Sequence, residues 1–169
     1  MRFSLVDRVS HLEPGRLIVA EKNLTLAEEY LAEHFPTFPI MPGVLMIEAV
    51  TQAGAWLVRV TEDFAHSVIL LKEVRNAKFG QFVVPGKQLR LQCEWLKDDP
   101  LTTTLKATGE VDGKQSISAR LVLERRNLRT TRPDRAEDDD EMVRRFRRLW
   151  RDLVPRAEAT NSGRPGDMK

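Results

Sequence analysis

The sequence contains a single cysteine among its 169 residues, and this scarcity excludes several kinds of small protein. One cysteine cannot form an internal disulfide, and it cannot supply a cysteine-rich zinc site. Net charge is nearly absent as well, because 27 basic residues stand against 25 acidic residues. The first ten residues, MRFSLVDRVS, lack the apolar stretch of a secretory signal. We therefore expect a cytoplasmic protein, large enough to be held together by an apolar core.

Several common functional motifs are missing too. The chain has no glycine-rich phosphate loop, no G-x-S-x-G nucleophile motif and no H-E-x-x-H zinc motif. We predict that it binds neither a metal nor a cofactor, and that Cys93 is a small buried apolar residue rather than a nucleophile. The longest apolar segment, 43–60, is interrupted by Glu48 and Gln52, which argues against a membrane span.

The charged residues are distributed unevenly, and this predicts how the chain is organised. Residues 1–124 carry a net charge of −2, whereas residues 125–169 carry +4 and are much richer in charged side chains. Dense charge of this kind is typical of solvated extensions. We predict a domain at 1–126, a polar and acidic linker at 127–141, an amphipathic arginine-rich helix at 142–155 and a disordered tail at 156–169.

Alternating polar and apolar residues predict antiparallel strands in the second half of the domain. Leu89, Leu91 and Cys93 alternate with polar residues, and Asp112-Gly113 is a favoured two-residue hairpin turn. Two earlier strands are predicted around residues 16–24 and 68–78. The apolar segment 43–60 has the length of a helix and few polar positions, as expected for a helix buried in a core. Together these elements predict an α+β fold, with a curled antiparallel sheet wrapped around one long buried helix and a C-terminal helical extension.

The candidate site lies where this helix begins. His34 opens a segment with three prolines, which we expect to be a rigid extended connection into the helix. Glu48 lies inside the apolar helix, where a carboxylate must be paired or protonated, and Gln52 follows on the same face. One interpretation is a structural glutamate satisfied by Gln52 and the backbone. The other is an acid–base pair, with the Gly43 N–H polarising a substrate carbonyl at the start of the helix.

The second interpretation corresponds to a definite chemistry. A neutral histidine can remove the proton next to a carbonyl, and a protonated glutamate can donate to a β-hydroxyl that leaves as water. This is β-elimination from a 3-hydroxyacyl compound.

The segment HFPTFPIMPGVLMIEAVTQ at 34–52 resembles the signature of the hot-dog-fold 3-hydroxyacyl-acyl carrier protein dehydratases of the FabZ/FabA group. The similarity extends over roughly residues 3–124. The resemblance implies that the chain is a lyase of fatty-acid or related acyl-chain synthesis, acting on thioesters carried by acyl carrier protein or coenzyme A. Glu at position 48 is similar to the FabZ branch, whereas the FabA branch has Asp.

The resemblance also implies a role for each candidate residue. His34 would be the catalytic base, Glu48 the catalytic acid, Gly43 the N–H donor to the thioester carbonyl, and Gln52 the residue that orients Glu48. In this family the site forms between two subunits of a homodimer, and trimers of such dimers are common. Glu33 and Thr37 replace glycines that flank the histidine in the family. Because these changes affect the motif, an acyl-thioesterase of the same fold and a non-catalytic acyl-thioester or partner-binding protein remain alternatives.

The predicted C-terminal helix has three interpretations. Its apolar stripe can pack on the protein's own oligomer, which we favour, or lie on a membrane surface. Its arginines can instead form a basic patch for an acidic partner such as acyl carrier protein. Arginine density alone, without a recognised module, does not indicate nucleic-acid binding.

Overall fold

The computed structural model describes residues 3–35 and 37–155 as a sheet, a long central helix and a second helix after the sheet. The elements are β1 (Arg8–Glu13), β2 (Leu17–Asn23), α1 (Gly43–Thr61), β3 (Val68–Phe79), β4 (Gln88–Asp98), β5 (Thr102–Val111), β6 (Lys114–Arg126) and α2 (Ala136–Leu153). Short 3-10 turns occur at Glu29–Leu31, Leu128–Thr130 and Pro133–Arg135. The strands pair antiparallel in the order β1-β2-β4-β5-β6-β3, so β1 and β3 are the edges of the sheet.

α1 forms the centre of the fold, because it packs against β2 and against all four later strands. Residues 53–59 of the helix are buried, and its approach to the sheet is unusually close at Gly54. A Cβ atom at Gly54 would lie only 2.6 Å from the Cδ1 atom of Leu105, so a larger residue would push the helix away from β5. The α+β class and the sheet wrapped around one long helix are therefore as predicted.

By length and composition alone, α1 is apolar enough to cross a membrane, yet 61% of its most apolar window is buried inside the protein. Core helices of globular proteins commonly meet the same criterion. The burial shows that the apolar residues of α1 pack against the sheet.

The predicted hairpin between β5 and β6 is present. Val111 pairs with Lys114 across a two-residue turn, in which Asp112 has φ +50° and Gly113 has φ +74°. Two consecutive positive φ angles are the requirement of the type I′ turn, which explains the Asp-Gly sequence. Strand β1 was not predicted: it is short, contains a bulge between Val9 and His11, and buries little apart from Val9.

The connection from His34 to α1 differs from the extended segment that its prolines predict. Phe35 adopts a left-handed φ of +50°, and the Phe38 N–H donates to the Phe35 carbonyl over 2.8 Å. The chain therefore makes a turn directly after His34, and then the Met41 N–H donates to the Val83 carbonyl. Proline restricts the backbone only at its own position and the one before it, and the turn hydrogen bond prevails over that preference here.

The C-terminal helix begins at Ala136, six residues before the predicted start. The acidic run 137–141, predicted as linker, forms its first turns, where carboxylates face the positive end of the helix dipole. The apolar stripe packs on the core of the same chain through Val143, Phe146, Leu149, Trp150 and Leu153. The stripe thus packs within the chain, where Phe146 and Trp150 contact Trp56 of α1, whereas the prediction was that it packs on the protein's own oligomer. The predicted tail 156–169 lies outside the described residues.

Asp139 anchors this helix, although the sequence places it among exposed acidic residues. It is only 1% exposed. Its carboxylate accepts hydrogen bonds from the Ser67 hydroxyl, from the Leu128 N–H at 2.8 Å, and from the backbone N–H and Nε of Arg129 at 2.9 and 3.0 Å. Burial opposes its ionisation, but these donors together hold the pKa of Asp139 well below its usual range.

Candidate functional site

Glu48 and Gln52 lie one turn apart on α1, and the structure joins them as the spacing predicts. The Gln52 Nε2 donates to Glu48 Oε1 over 2.9 Å. The side chain of Glu48 is partly exposed, so it is not the fully buried carboxylate that the apolar sequence suggests. One of its oxygens is thus held by a neutral donor while the side chain remains accessible to a small molecule.

Gln52 also fixes the N-terminal segment of the chain. Its Oε1 accepts from the Leu5 N–H at 2.8 Å, and its Nε2 donates to the Phe3 carbonyl at 3.2 Å. Leu5 is buried, which secures the segment from the other side. Because these bonds use both ends of the amide, they determine which way Gln52 points and therefore which group it presents to Glu48.

Glu48 lines a groove of about 410 Å³ that runs along one face of α1. The helix contributes residues at helical spacing, the N-terminal segment and β3 form one side, and α2 forms the other. The lining residues are Phe3, Ser4, Glu48, Thr51, Gln52, Ala55, Trp56, Arg59, Ile69, Arg145, Phe146, Leu149, Asp152 and Leu153. Half of these residues are apolar and half are polar or charged, and a concave surface that combines apolar walls with polar groups is suited to binding a small molecule.

Gly43 is the first residue of α1, as predicted, and its N–H has no acceptor within the helix. The ring of Phe79, at the end of β3, lies against it. A Cβ atom at residue 43 would stand 3.0 Å from the Phe79 ring, so glycine is needed for this close packing. The helix terminus and its positive dipole end thus lie beside the β3 edge of the sheet.

His34 lies in the turn that precedes α1, and it is partly exposed. Its backbone N–H donates to the Tyr30 carbonyl at 3.1 Å, and its ring contacts the Phe35 ring edge-on, with centroids 4.5 Å apart. His34 does not line the groove that contains Glu48. Within the described part of a single chain, the structure therefore brings Glu48 and Gln52 together but does not unite them with His34 in one cavity.

Sequence reasoning missed the contribution of α2 to this groove. Trp56 and Phe146 pack edge to face with centroids 5.8 Å apart, and Trp56 also contacts Trp150 at 5.7 Å. Aromatic pairs of this kind contribute about 0.5–1.5 kcal/mol each beyond their buried area. The sequence contains part of this information, because helical spacing places residues 48, 52, 55, 56 and 59 on one face of α1. The pattern did not indicate which element packs against that face.

Residues 3–35 and 37–155 contain no candidate metal site. They contain no group of three or more His, Cys, Asp or Glu side chains placed to hold an ion. Cys93 is buried against α1, and burial raises the pKa of its thiol to about 12. The thiol is thus protonated at neutral pH, as expected for a core residue.

The antiparallel sheet around α1, with the Glu48–Gln52 pair on the accessible side of that helix, defines a protein of the hot-dog fold. Among solved structures, the dehydratase heterocomplex ApeI:P from Xenorhabdus doucetiae superposes with a TM-score of 0.61 at 18% identity, covering 73% of this chain and 84% of that chain. At that identity the likeness shows the fold alone.

Sequence comparison gives the family. The FabA-like domain model matches residues 1–120. The chain is 40% identical over 120 residues to the 3-hydroxyacyl-acyl carrier protein dehydratase FabZ of Clostridium kluyveri, covering 71% of this chain and 83% of that protein. It is also 40% identical over 132 residues to the FabZ of Janthinobacterium sp. strain Marseille, covering 76% and 85%. The chain belongs to the FabA-like family, and it is similar to the FabZ dehydratases within it.

Proposed function

We propose that this protein is a dehydratase that eliminates water from 3-hydroxyacyl thioesters to give trans-2-enoyl thioesters. The observation that carries the proposal is the Glu48–Gln52 pair, held on the accessible face of α1 at the position where the FabZ-like motif has its glutamate. Family membership supports the same activity. The substrate is carried on the phosphopantetheine arm of acyl carrier protein, and the protein works in the cytoplasm without a metal or cofactor.

The proposed reaction uses three groups of the chain. His34 removes a proton from C2 of the substrate, and the Gly43 N–H stabilises the negative charge that develops on the thioester oxygen. The electron pair then forms the C2–C3 double bond while the C3–O bond breaks. Protonated Glu48 supplies the proton that turns the leaving hydroxyl into water. Transfer of the proton from His34 back to Glu48 completes the cycle.

A homodimer is part of this proposal, because one chain does not place His34 in the groove with Glu48. Exposed apolar side chains surround the start of α1, which is unusual for a surface that faces only water. They are Phe35, Phe38, Val44, Phe79 and Phe82, with Val44 69% exposed. We propose that a second subunit covers this surface and brings its own His34 to Glu48.

The enzyme claim has a direct test in the reverse reaction. Hydration of a trans-2-enoyl thioester removes its conjugated ultraviolet absorbance, whereas a thioesterase releases free thiol from the same compound. We expect loss of absorbance without thiol release, and at least a hundredfold lower rate for His34→Ala and for Glu48→Gln, since each removes a proton-transfer group.

A matched control is His11→Ala, because His11 is an exposed histidine that pairs with Glu13 on strand β1, on another element of the fold. We expect it to keep the wild-type rate. Unchanged activity in both site variants, or thiol release by the wild type, would contradict the proposal.

A further inference from the structure

Arg59 is a buried cation in the same groove, and neither the catalytic proposal nor the family motif gives it a role. Only 8% of the residue is exposed. Its guanidinium lies 3.9 Å from the centroid of the Phe146 ring and 5.4 Å from that of Trp56. Burial lowers the pKa of Arg59 to about 10, so the side chain is still charged at neutral pH.

The two rings stabilise the faces of the guanidinium but not its N–H groups. Those donors lie in the plane of the group and need acceptors at its edge. Nε makes no hydrogen bond to any of residues 3–35 and 37–155. Nε itself is enclosed, and Arg59 has no ion-pair partner among these residues. A buried charge without a counter-ion is costly, so an anionic group would be stabilised where the terminal N–H groups of Arg59 line the groove.

A second polar atom in the groove is also without a partner. Thr51 is 8% exposed, and its hydroxyl makes no hydrogen bond within the described chain. The apolar residues Ala55, Trp56 and Leu149 line the same groove, together with the charged residues Arg145 and Asp152 of α2. A buried cation without a counter-ion beside apolar walls is a pattern of ligand sites, where the ligand supplies the missing partner.

The distance between Glu48 and Arg59 sets the length of such a ligand. Arg59 comes eleven residues after Glu48, which corresponds to roughly 16 Å along the helix axis. An extended chain advances about 1.2 Å per bond, so the separation matches a chain of about thirteen bonds. A thioester that reacts at Glu48 would thus place its far end near Arg59.

We propose that this groove accepts long acyl thioesters whose distal end carries a carboxylate, and that Arg59 binds that carboxylate. An alkyl end would leave the donors of Arg59 desolvated without replacement, whereas a carboxylate forms charge-assisted hydrogen bonds with them. The proposal rests on the dehydratase function proposed above and specifies the substrate class of the same site.

The test compares two trans-2-enoyl pantetheine thioesters of about sixteen carbons, one ending in a methyl group and one in a carboxylate, because about thirteen bonds beyond C3 span the distance from Glu48 to Arg59. The measured quantity is the ratio of their kcat/KM values for the full-length protein. We expect Arg59→Met to lower kcat/KM at least tenfold for the carboxylate-ended substrate and to leave the methyl-ended substrate within threefold. Arg59→Lys, which keeps the charge, should restore part of the ratio.

Arg148→Met is the matched control, because Arg148 is an exposed arginine of α2 outside the groove. It should leave the ratio unchanged. A structural role of Arg59 in holding α2 would lower both substrates together, and that result would overturn the inference while leaving the dehydratase function intact. An unchanged ratio in Arg59→Met would overturn it too. Failure of the wild type to hydrate either substrate would refute the proposed function and this inference together.

Discussion

Gln52 connects two parts of the chain that are distant in sequence, the N-terminal segment and the face of α1 that carries Glu48. Its amide contacts Phe3, Leu5 and Glu48 at once. A side chain that is fixed by the backbone at one end can hold a carboxylate at the other without losing further conformational freedom. We therefore regard Gln52 as a positioning residue of the proposed reaction.

Substitution of Gln52 by Leu tests this role. The variant keeps the size of the side chain but removes all three hydrogen bonds, at a cost of about 1–3 kcal/mol in the free energy of unfolding. We expect kcat for enoyl-thioester hydration to fall at least tenfold while KM stays within about threefold, because Glu48 is misplaced but the groove remains.

Asp7→Ala is the control for this variant, since Asp7 accepts from the Asn23 N–H at 2.6 Å and so secures the same N-terminal segment, but does not line the groove. It should leave both kinetic constants unchanged. If Asp7→Ala lowers kcat as much as Gln52→Leu does, the effect comes from loosening the segment, and the positioning role is wrong.

At this scale the sequence predicted the motif better than the surroundings of individual charges. The sequence identified His34, Glu48 and Gln52, because their spacing within the segment 34–52 matches few motifs other than that of the dehydratases. Arg59 and Asp139 were not identified, because a charged residue in a helix is usually exposed and burial depends on elements that pack from elsewhere in the chain. Glu48 shows the reverse error, since its apolar neighbours in sequence suggested more burial than the structure has.

Among the elements, α2 differs most from its predicted form. The acidic run at 137–141 resembles a solvated linker when its composition alone is considered. Its carboxylates instead lie in the first turns of α2, near the positive end of the helix dipole. Asp139 accepts hydrogen bonds from the N–H groups of Leu128 and Arg129 in a preceding 3-10 turn. Composition predicts the average environment of a segment, whereas one inward-facing residue determines how it docks.

The docking of α2 should therefore depend on pH through Asp139. Its pKa is lowered in the folded state, so its contribution to stability is present above the ordinary pKa of an aspartate and is lost as the pH falls toward the folded value. We expect docking to be insensitive to pH between 7 and about 5 and to weaken below about 4. The measurement is tryptophan emission, because Trp56 and Trp150 contact each other across the two helices.

Asp139→Asn should weaken α2 docking already at neutral pH, by about 1.5–3 kcal/mol for the loss of hydrogen bonds to a buried charge. Asp140→Asn is the control, since Asp140 is exposed and its pair with Arg129 is worth at most about 1 kcal/mol. Equal shifts of the emission in both variants would mean that general charge at the start of the helix, rather than the buried carboxylate, holds α2 in place.

At the scale of the whole molecule, two surfaces of the described chain are not covered by other elements. β3 is an edge strand with most of its residues exposed, and exposed apolar residues surround the start of α1 next to it. Open edges and apolar surfaces of this kind are usually covered by another chain. The sequence predicted the sheet and helix well, since both arise from local periodicity. The homodimer stays a prediction from the family resemblance, because contacts between subunits leave no periodic signal in the sequence.

Mixing two inactive variants tests the shared site. In a twofold-symmetric dimer with composite sites, a mixed dimer of His34→Ala and Glu48→Gln chains has one site with both substitutions and one site with neither. Co-expression at equal amounts should therefore restore about a quarter of the wild-type rate of enoyl-thioester hydration, since half of the dimers are mixed and each has one intact site. Two differently tagged chains allow the mixed species to be isolated and its rate and mass measured. If the isolated mixed dimer is inactive while each variant folds, or if the wild type is a monomer in solution, then His34 and Glu48 do not act across a subunit interface.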